Sequence, residues 1–138
     1  MKLRIKKYCK DTVELPASFD VNGDGYLTYP INLLYETYRK VLDENELEEL
    51  AYELLNNPKK VKQLEDIISM LTQRENKILH LYYKDKLSLT DIGPILDNPV
   101  TCARVEYLKN RALRRLRHPY KLKLLMQSPV EYFGYDVL

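Results

Sequence analysis

Helix-start signals stand in a row in the second half of the chain: Thr72-Gln-Arg-Glu75, Ser88-Leu-Thr-Asp91 and, further on, Thr101. In the first, the Thr72 hydroxyl is placed to accept the Glu75 amide proton while the Glu75 carboxylate reaches back, a capping box. Ser88 with Asp91 repeats the logic as N-cap and N3 residues. Short spacings between starts force short helices. The chain from residue 72 therefore reads as a capped helix, a short capped helix containing Gly93, and a long basic helix ended by His118-Pro119. That is the layout of a helix-turn-helix unit.

Apolar spacing gives each helix a buried side. Val61, Leu64, Ile67, Ile68 and Leu71 share a face of VKQLEDIISML, and Ile78, Leu79, Tyr82 and Tyr83 line the helix after Thr72. Leu89, Ile92 and Leu96 turn the short helix inward. In the last helix Val105, Leu108, Ala112 and Leu116 recur at intervals of three and four. The opposite side carries Ala103, Tyr107, Asn110 and Arg114, flanked by Arg104 and Arg111. Were this helix to enter a major groove, its N-terminal residues would meet base edges. Its later arginines would sit over phosphates, which position a protein without specifying sequence.

Charge is distributed to match. The net charge of +2 is uninformative, but residues 43–53 hold six acids (Asp43, Glu44, Glu46, Glu48, Glu49, Glu53) and no base. Residues 104–123 hold eight Lys or Arg against the single acid Glu106. A local positive field at the C-terminal half is where a polyanion would bind. The acidic run reads as a solvated helix face, with a docking surface or a DNA mimic as the minority reading.

Other chemistries find little support. The basic start MKLRIKKYCKD lacks the apolar core of a signal peptide, and no apolar run is long enough to span a membrane. Cys9 and Cys102 read as reduced thiols of a cytoplasmic protein. His80 and His118 have no ligand-spaced companions, so neither zinc nor another cofactor is expected. Asp20, Asn22 and Asp24 with Gly25 resemble the start of a calcium loop, but Ile31 stands where its bidentate acid belongs, so a turn is the expectation. No nucleophile constellation, phosphate loop or paired-acid site is present, and an enzyme is not expected.

The expected organisation is a mainly α chain in three parts. Residues 1–58 form an arm with a β-hairpin and helices: LRIKKY alternates as a strand, VNGDG turns, and YLTYPI supplies a second strand. Residues 32–57 then read as helical, with Leu33, Leu34, Tyr38, Val41 and Leu42 inward, a break near Asp43, and Leu47, Leu50, Ala51 and Leu54 beyond it. Residues 59–125 form the helical unit, and the aromatic tail 126–138 packs back on the protein.

The wording of residues 62–125 resembles region 4 of bacterial sigma-70-family factors, the C-terminal promoter-reading domain. Leu71-Thr-Gln-Arg-Glu75, Leu79–Tyr83, Ser88-Leu-Thr-Asp-Ile-Gly93 and Arg111-Ala-Leu-Arg-Arg-Leu-Arg-His-Pro119 match its phrases in order. The resemblance implies a transcription regulator that reads a −35 element of double-stranded promoter DNA while gripping the flap of RNA polymerase, as a monomer in the cytoplasm. Arg74, Ser88, Thr101, Arg104, Tyr107, Asn110, Arg111, Arg114 and Arg115 are its DNA-facing candidates. No segment that melts promoter DNA is recognised in residues 1–58, which points to a free-standing region-4-like regulator of the phage or mobile-element kind.

Departures from the pattern keep an alternative open. At the front of the recognition helix the family's Arg-Glu and Arg-Gln pairs are replaced by Cys102-Ala103 and Glu106-Tyr107. Cys and Ala have neither the bidentate donor that reads guanine nor the acceptor that reads cytosine. Asp97-Asn98-Pro99 makes the turn two residues longer than usual, and Pro94 inside the short helix is expected to kink or shorten it. The alternative function is an adaptor or inhibitor that binds polymerase or a sigma factor without reading sequence; an ordinary operator-binding repressor is a third.

Overall fold

The computed structural model describes residues 2–8, 11–19, 23 and 26–134, with side chains at 18, 19, 23 and 26–134. The protein is mainly helical and divides into two compact units, residues 1–56 and 57–138.

In the first unit β1 (Lys2–Tyr8) pairs antiparallel with β2 (Asp11–Pro16), in a register that sets Leu3 opposite Leu15 and Ile5 opposite Val13. The hairpin expected from the sequence exists, but its second strand is not YLTYPI. Tyr29 and Pro30 form a turn and Ile31 opens α1 (Ile31–Tyr38). Alternation in DTVELP supplies the strand instead. The calcium-like residues Asp20, Asn22 and Asp24 lie outside the described residues. The helical stretch breaks before Asp43, as expected: α1 stops at Tyr38 and α2 (Glu44–Asn56) begins after an Asp43 cap, whose Oδ1 accepts the Glu46 N–H at 2.8 Å. The break releases Val41, expected inward, to solvent. Ile31, Leu33, Leu34 and Tyr38 from α1 and Leu47, Leu50, Ala51 and Leu54 from α2 are buried, joined by Phe19, whose ring meets Tyr52 edge-on at 4.9 Å.

The second unit opens on α3 (Pro58–Ile68), with Asn57 as N-cap and Pro58 at the first helical position, where its missing N–H costs nothing. Next come α4 (Gln73–Leu79), a π-helical turn (His80–Lys84), α5 (Leu89–Ile95), α6 (Cys102–Leu116), α7 (Pro119–Met126) and α8 (Pro129–Phe133). The π turn closes with the Asp85 N–H on the His80 carbonyl at 3.0 Å. Each expected cap forms. The Thr72–Glu75 box is reciprocal, and Ser88 and Thr101 accept the Asp91 and Arg104 amides at 3.1 and 3.2 Å.

Beyond the expected helices, His118 ends α6 and caps α7, accepting the Tyr120 N–H at 3.2 Å. The helices α7 and α8 both pack on α3, and the joint is polar. Lys60, 1% exposed, donates through Nζ to the Leu125 and Gln127 carbonyls at 2.6 and 2.8 Å. Gln63, also buried, donates through Nε2 to the Leu124 and Gln127 carbonyls at 2.7 and 3.0 Å. A helix leaves its last carbonyls without intrahelical partners, and a cation is favoured at that end. These two α3 side chains thus cap α7 from outside.

Candidate nucleic-acid interface

The scaffold of the site is a small apolar core. Ile78 from α4, Ile92 and Leu96 from α5 and its end, and Val105 and Leu108 from α6 are all buried together. Leu81, Tyr82, Leu87, Leu89 and Val100 close its edge. Every apolar α6 position expected inward is buried, and so are Leu113 and Lys109. Lys109 keeps its ammonium over the Tyr82 ring, 4.6 Å from the centroid, a favourable seat for a cation leaving water.

The turn between α5 and α6 is fixed in several ways. Gly93 lies against the turn backbone: a Cβ there would overlap the Val100 carbonyl oxygen and touch Val105 Cγ2 at 3.6 Å. The Val100 N–H returns to the Gly93 carbonyl at 3.3 Å. Arg74 Nη2 donates to the Asn98 carbonyl at 3.0 Å, and Lys77 stands 3.7 Å from the Asp97 carboxylate. The long Asp97-Asn98-Pro99 turn is therefore anchored to α4 rather than left loose. Pro94 shortens α5, as expected: the helix ends at Ile95, one residue past the proline.

Behind α6 lies a charged joint that the sequence did not announce. Glu75 is fully buried, and Arg111 Nε and Arg115 Nη1 donate to its two oxygens at 3.1 and 2.8 Å. The same carboxylate accepts the Thr72 N–H and hydroxyl at 3.3 and 3.0 Å. Burial pushes the Glu75 carboxyl up. The hydrogen bonds from Thr72 and Arg111 and the Arg115 charge outweigh it and hold the carboxyl below its ordinary value.

This rearranges the candidate DNA-facing residues. Arg111 and Arg115 are among the DNA-facing candidates, and each also has a partner inside the protein. Both brace α6 against α4, with 30% and 45% of their side chains still exposed. Arg74 is half-buried and spends a donor on the turn. Ser88 and Thr101 act as caps at the exposed starts of α5 and α6. Arg104, Tyr107, Asn110 and Arg114 are brought together on the exposed face of α6, with Cys102, Ala103 and Glu106 at its front. Arg104 and Arg111 lie over the Tyr107 ring, 4.9 and 5.9 Å from its centroid. Of the Glu75 joint only the capping box was visible in sequence, because its arginine partners lie 36 and 40 residues away. Among the described residues no group of three or more His, Cys, Asp or Glu is placed to hold a metal ion, and no helix is long and apolar enough to cross a membrane.

Comparison with known proteins matches the same segment. The family described as "Sigma-70, region 4" matches residues 67–118. RNA polymerase sigma factor SigA from a Bacillus species is 37% identical over 79 residues, covering 54% of this chain and 19% of the relative. RNA polymerase sigma factor FliA from Salmonella typhimurium is 35% identical over 77 residues, covering 56% of this chain and 31% of the relative. The chain thus spans between a fifth and a third of these curated relatives. No solved structure matches it. The helices that build the site, from the end of α3 through α6, are the segment that matches the sigma-70 region 4 family.

Proposed function

We propose that the protein binds duplex promoter DNA through α6 and regulates transcription together with RNA polymerase. The observation that carries this reading is the two-sided character of α6. Val105, Leu108, Ala112 and Leu116 seat it in the helix-turn-helix core, while Arg104, Tyr107, Asn110 and Arg114 are exposed side by side. A helix so mounted enters a major groove with its front residues at base edges. In this reading Arg104 and Asn110 face bases, Tyr107 stands beside them on the same face, and Arg114 faces phosphate. Arg74, Arg111 and Arg115 add positive potential from their exposed parts. Ser88 and Thr101 keep hydroxyl protons for phosphate oxygens. The polymerase partner, its flap as the contact, a monomeric state and a cytoplasmic setting come from the likeness to the sigma factors.

Arg114 gives the cleanest test, since among the described residues it makes no ion pair. Arg114→Ala should weaken binding to all duplexes alike and reduce the salt slope of the binding constant by about 0.9, the value for one phosphate contact. An unchanged slope would remove α6 from the DNA interface. A second reading, an adaptor that binds polymerase without reading sequence, is favoured by the exposed Cys102-Ala103 and Glu106 at the front of α6. Stable capture of RNA polymerase with no sequence preference in a random duplex pool would select it.

A further inference from the structure

Arg104, Tyr107, Arg111 and Arg115 follow one another along α6 at intervals of three, four and four, so their side chains form one row. The row is tied at its rear, where Glu75 holds Arg111 and Arg115. It continues forward through the Tyr107 ring, which lies between the Arg111 and Arg104 guanidinium groups. It ends at Arg104, the only Lys or Arg in the first turn of α6, which is exposed and makes no ion pair among the described residues.

Resting on the DNA-binding reading of α6, we infer that Tyr107 is a positioning residue that sets specificity: its ring holds the Arg104 guanidinium ready to read a guanine. A guanidinium lying over a ring gives up its face and keeps its N–H edge. Guanine offers O6 and N7 as paired acceptors in the major groove, the match for that edge. A free arginine loses much rotamer freedom on binding, and one already stacked loses less. Cys102 and Ala103 beside it have no comparable donor, so guanine reading at the helix front falls to Arg104.

The test uses the full chain with a randomised duplex pool, followed by competition between the selected duplex and its single-base variants. Wild type is compared with Arg104→Ala, Tyr107→Phe and Tyr107→Ala, and binding to a scrambled duplex is followed over a salt series. Wild type should prefer guanine at one position by roughly ten- to a hundredfold. Arg104→Ala should erase that preference and Tyr107→Phe, which keeps the ring, should retain it. Tyr107→Ala should lower it by about two- to fivefold, the worth of an exposed cation–π contact. The scrambled-duplex salt slope should stay the same in both Tyr107 variants, because no charge is lost.

Full guanine preference in Tyr107→Ala would overturn the inference. So would an equal loss on the scrambled duplex, which would mark a merely structural ring. Guanine preference that survives Arg104→Ala would overturn it while leaving DNA binding intact. Wild type that retains no duplex at all would overturn this inference and the DNA-binding reading together. Tyr107 is 49% exposed, so its replacement leaves the core untouched.

Discussion

Removing the Glu75 carboxylate should do more damage than any other single change of charge in the second unit. Three contributions add up in Glu75→Ala. The Glu75 half of the capping box at the start of α4, which takes the Thr72 N–H and hydroxyl, is lost, worth about 1 kcal/mol, while Thr72 still accepts the residue-75 amide. Two charge-assisted hydrogen bonds to Arg111 and Arg115 are lost, nominally about 1.5–3 kcal/mol each. Both arginines are already 30–45% exposed, so water re-solvates them and the loss falls well below the roughly 3–5 kcal/mol of a wholly buried pair. The sum is about 3 kcal/mol. Glu75→Gln keeps an oxygen for Thr72 and gives up only the charge, for about 1.5 kcal/mol.

Urea unfolding followed by circular dichroism reads this directly. With a slope near 2 kcal/mol per molar, typical of small domains, Glu75→Ala should lower the midpoint by about 1.5 M. Hydrogen exchange should place the loss in α4 and α6. The pH dependence supplies an independent check. The carboxyl is held below its ordinary value of 4.5 in the folded protein. Its stabilisation is therefore complete above that ordinary value and disappears as the pH falls through the lower folded value. Wild type should lose stability over that acid range and Glu75→Gln should lose less of it. A midpoint shift under about 0.3 M in Glu75→Ala, or acid profiles of equal steepness, would refute the account of Glu75 as the brace of α6.

Gly93→Ala drives a methyl into the Val100 backbone carbonyl, which cannot move without opening the turn; a loss of about 2 kcal/mol in urea unfolding is expected. Lys60→Ala removes the cationic half of the α7 cap and leaves the rest to Gln63, so hydrogen exchange should quicken across residues 119–133 while α5 and α6 keep their protection. Lys86 has a φ of 57°, a left-handed conformation that a side chain disfavours, so Lys86→Gly should raise stability by about 0.5–1 kcal/mol.

What could be read from the sequence, and what could not, divides by the range of the interaction. Thr72, Ser88 and Thr101 signal helix starts to neighbours within three residues, and the apolar positions of α6 repeat within a turn. Local chemistry decides both, so both were legible. Gly93 was visible as a glycine in a short helix, but its reason, the Val100 carbonyl, belongs to the turn beyond. Nothing local marks Lys60 and Gln63 for burial. Only the arrival of α7 and α8 made their donors worth burying, because unpaired helix-end carbonyls cost more than an immobilised lysine that satisfies them. The same reasoning separates the arginines of α6, which all look alike in sequence. Arg111 and Arg115 have Glu75 within reach and are spent on orientation, whereas Arg104 and Arg114 have no carboxylate partner among the described residues. An arginine already neutralised by a buried carboxylate releases less charge to an incoming phosphate. Replacing Arg114 should therefore lower the salt slope more than replacing Arg111, although Arg111→Ala should cost the fold more.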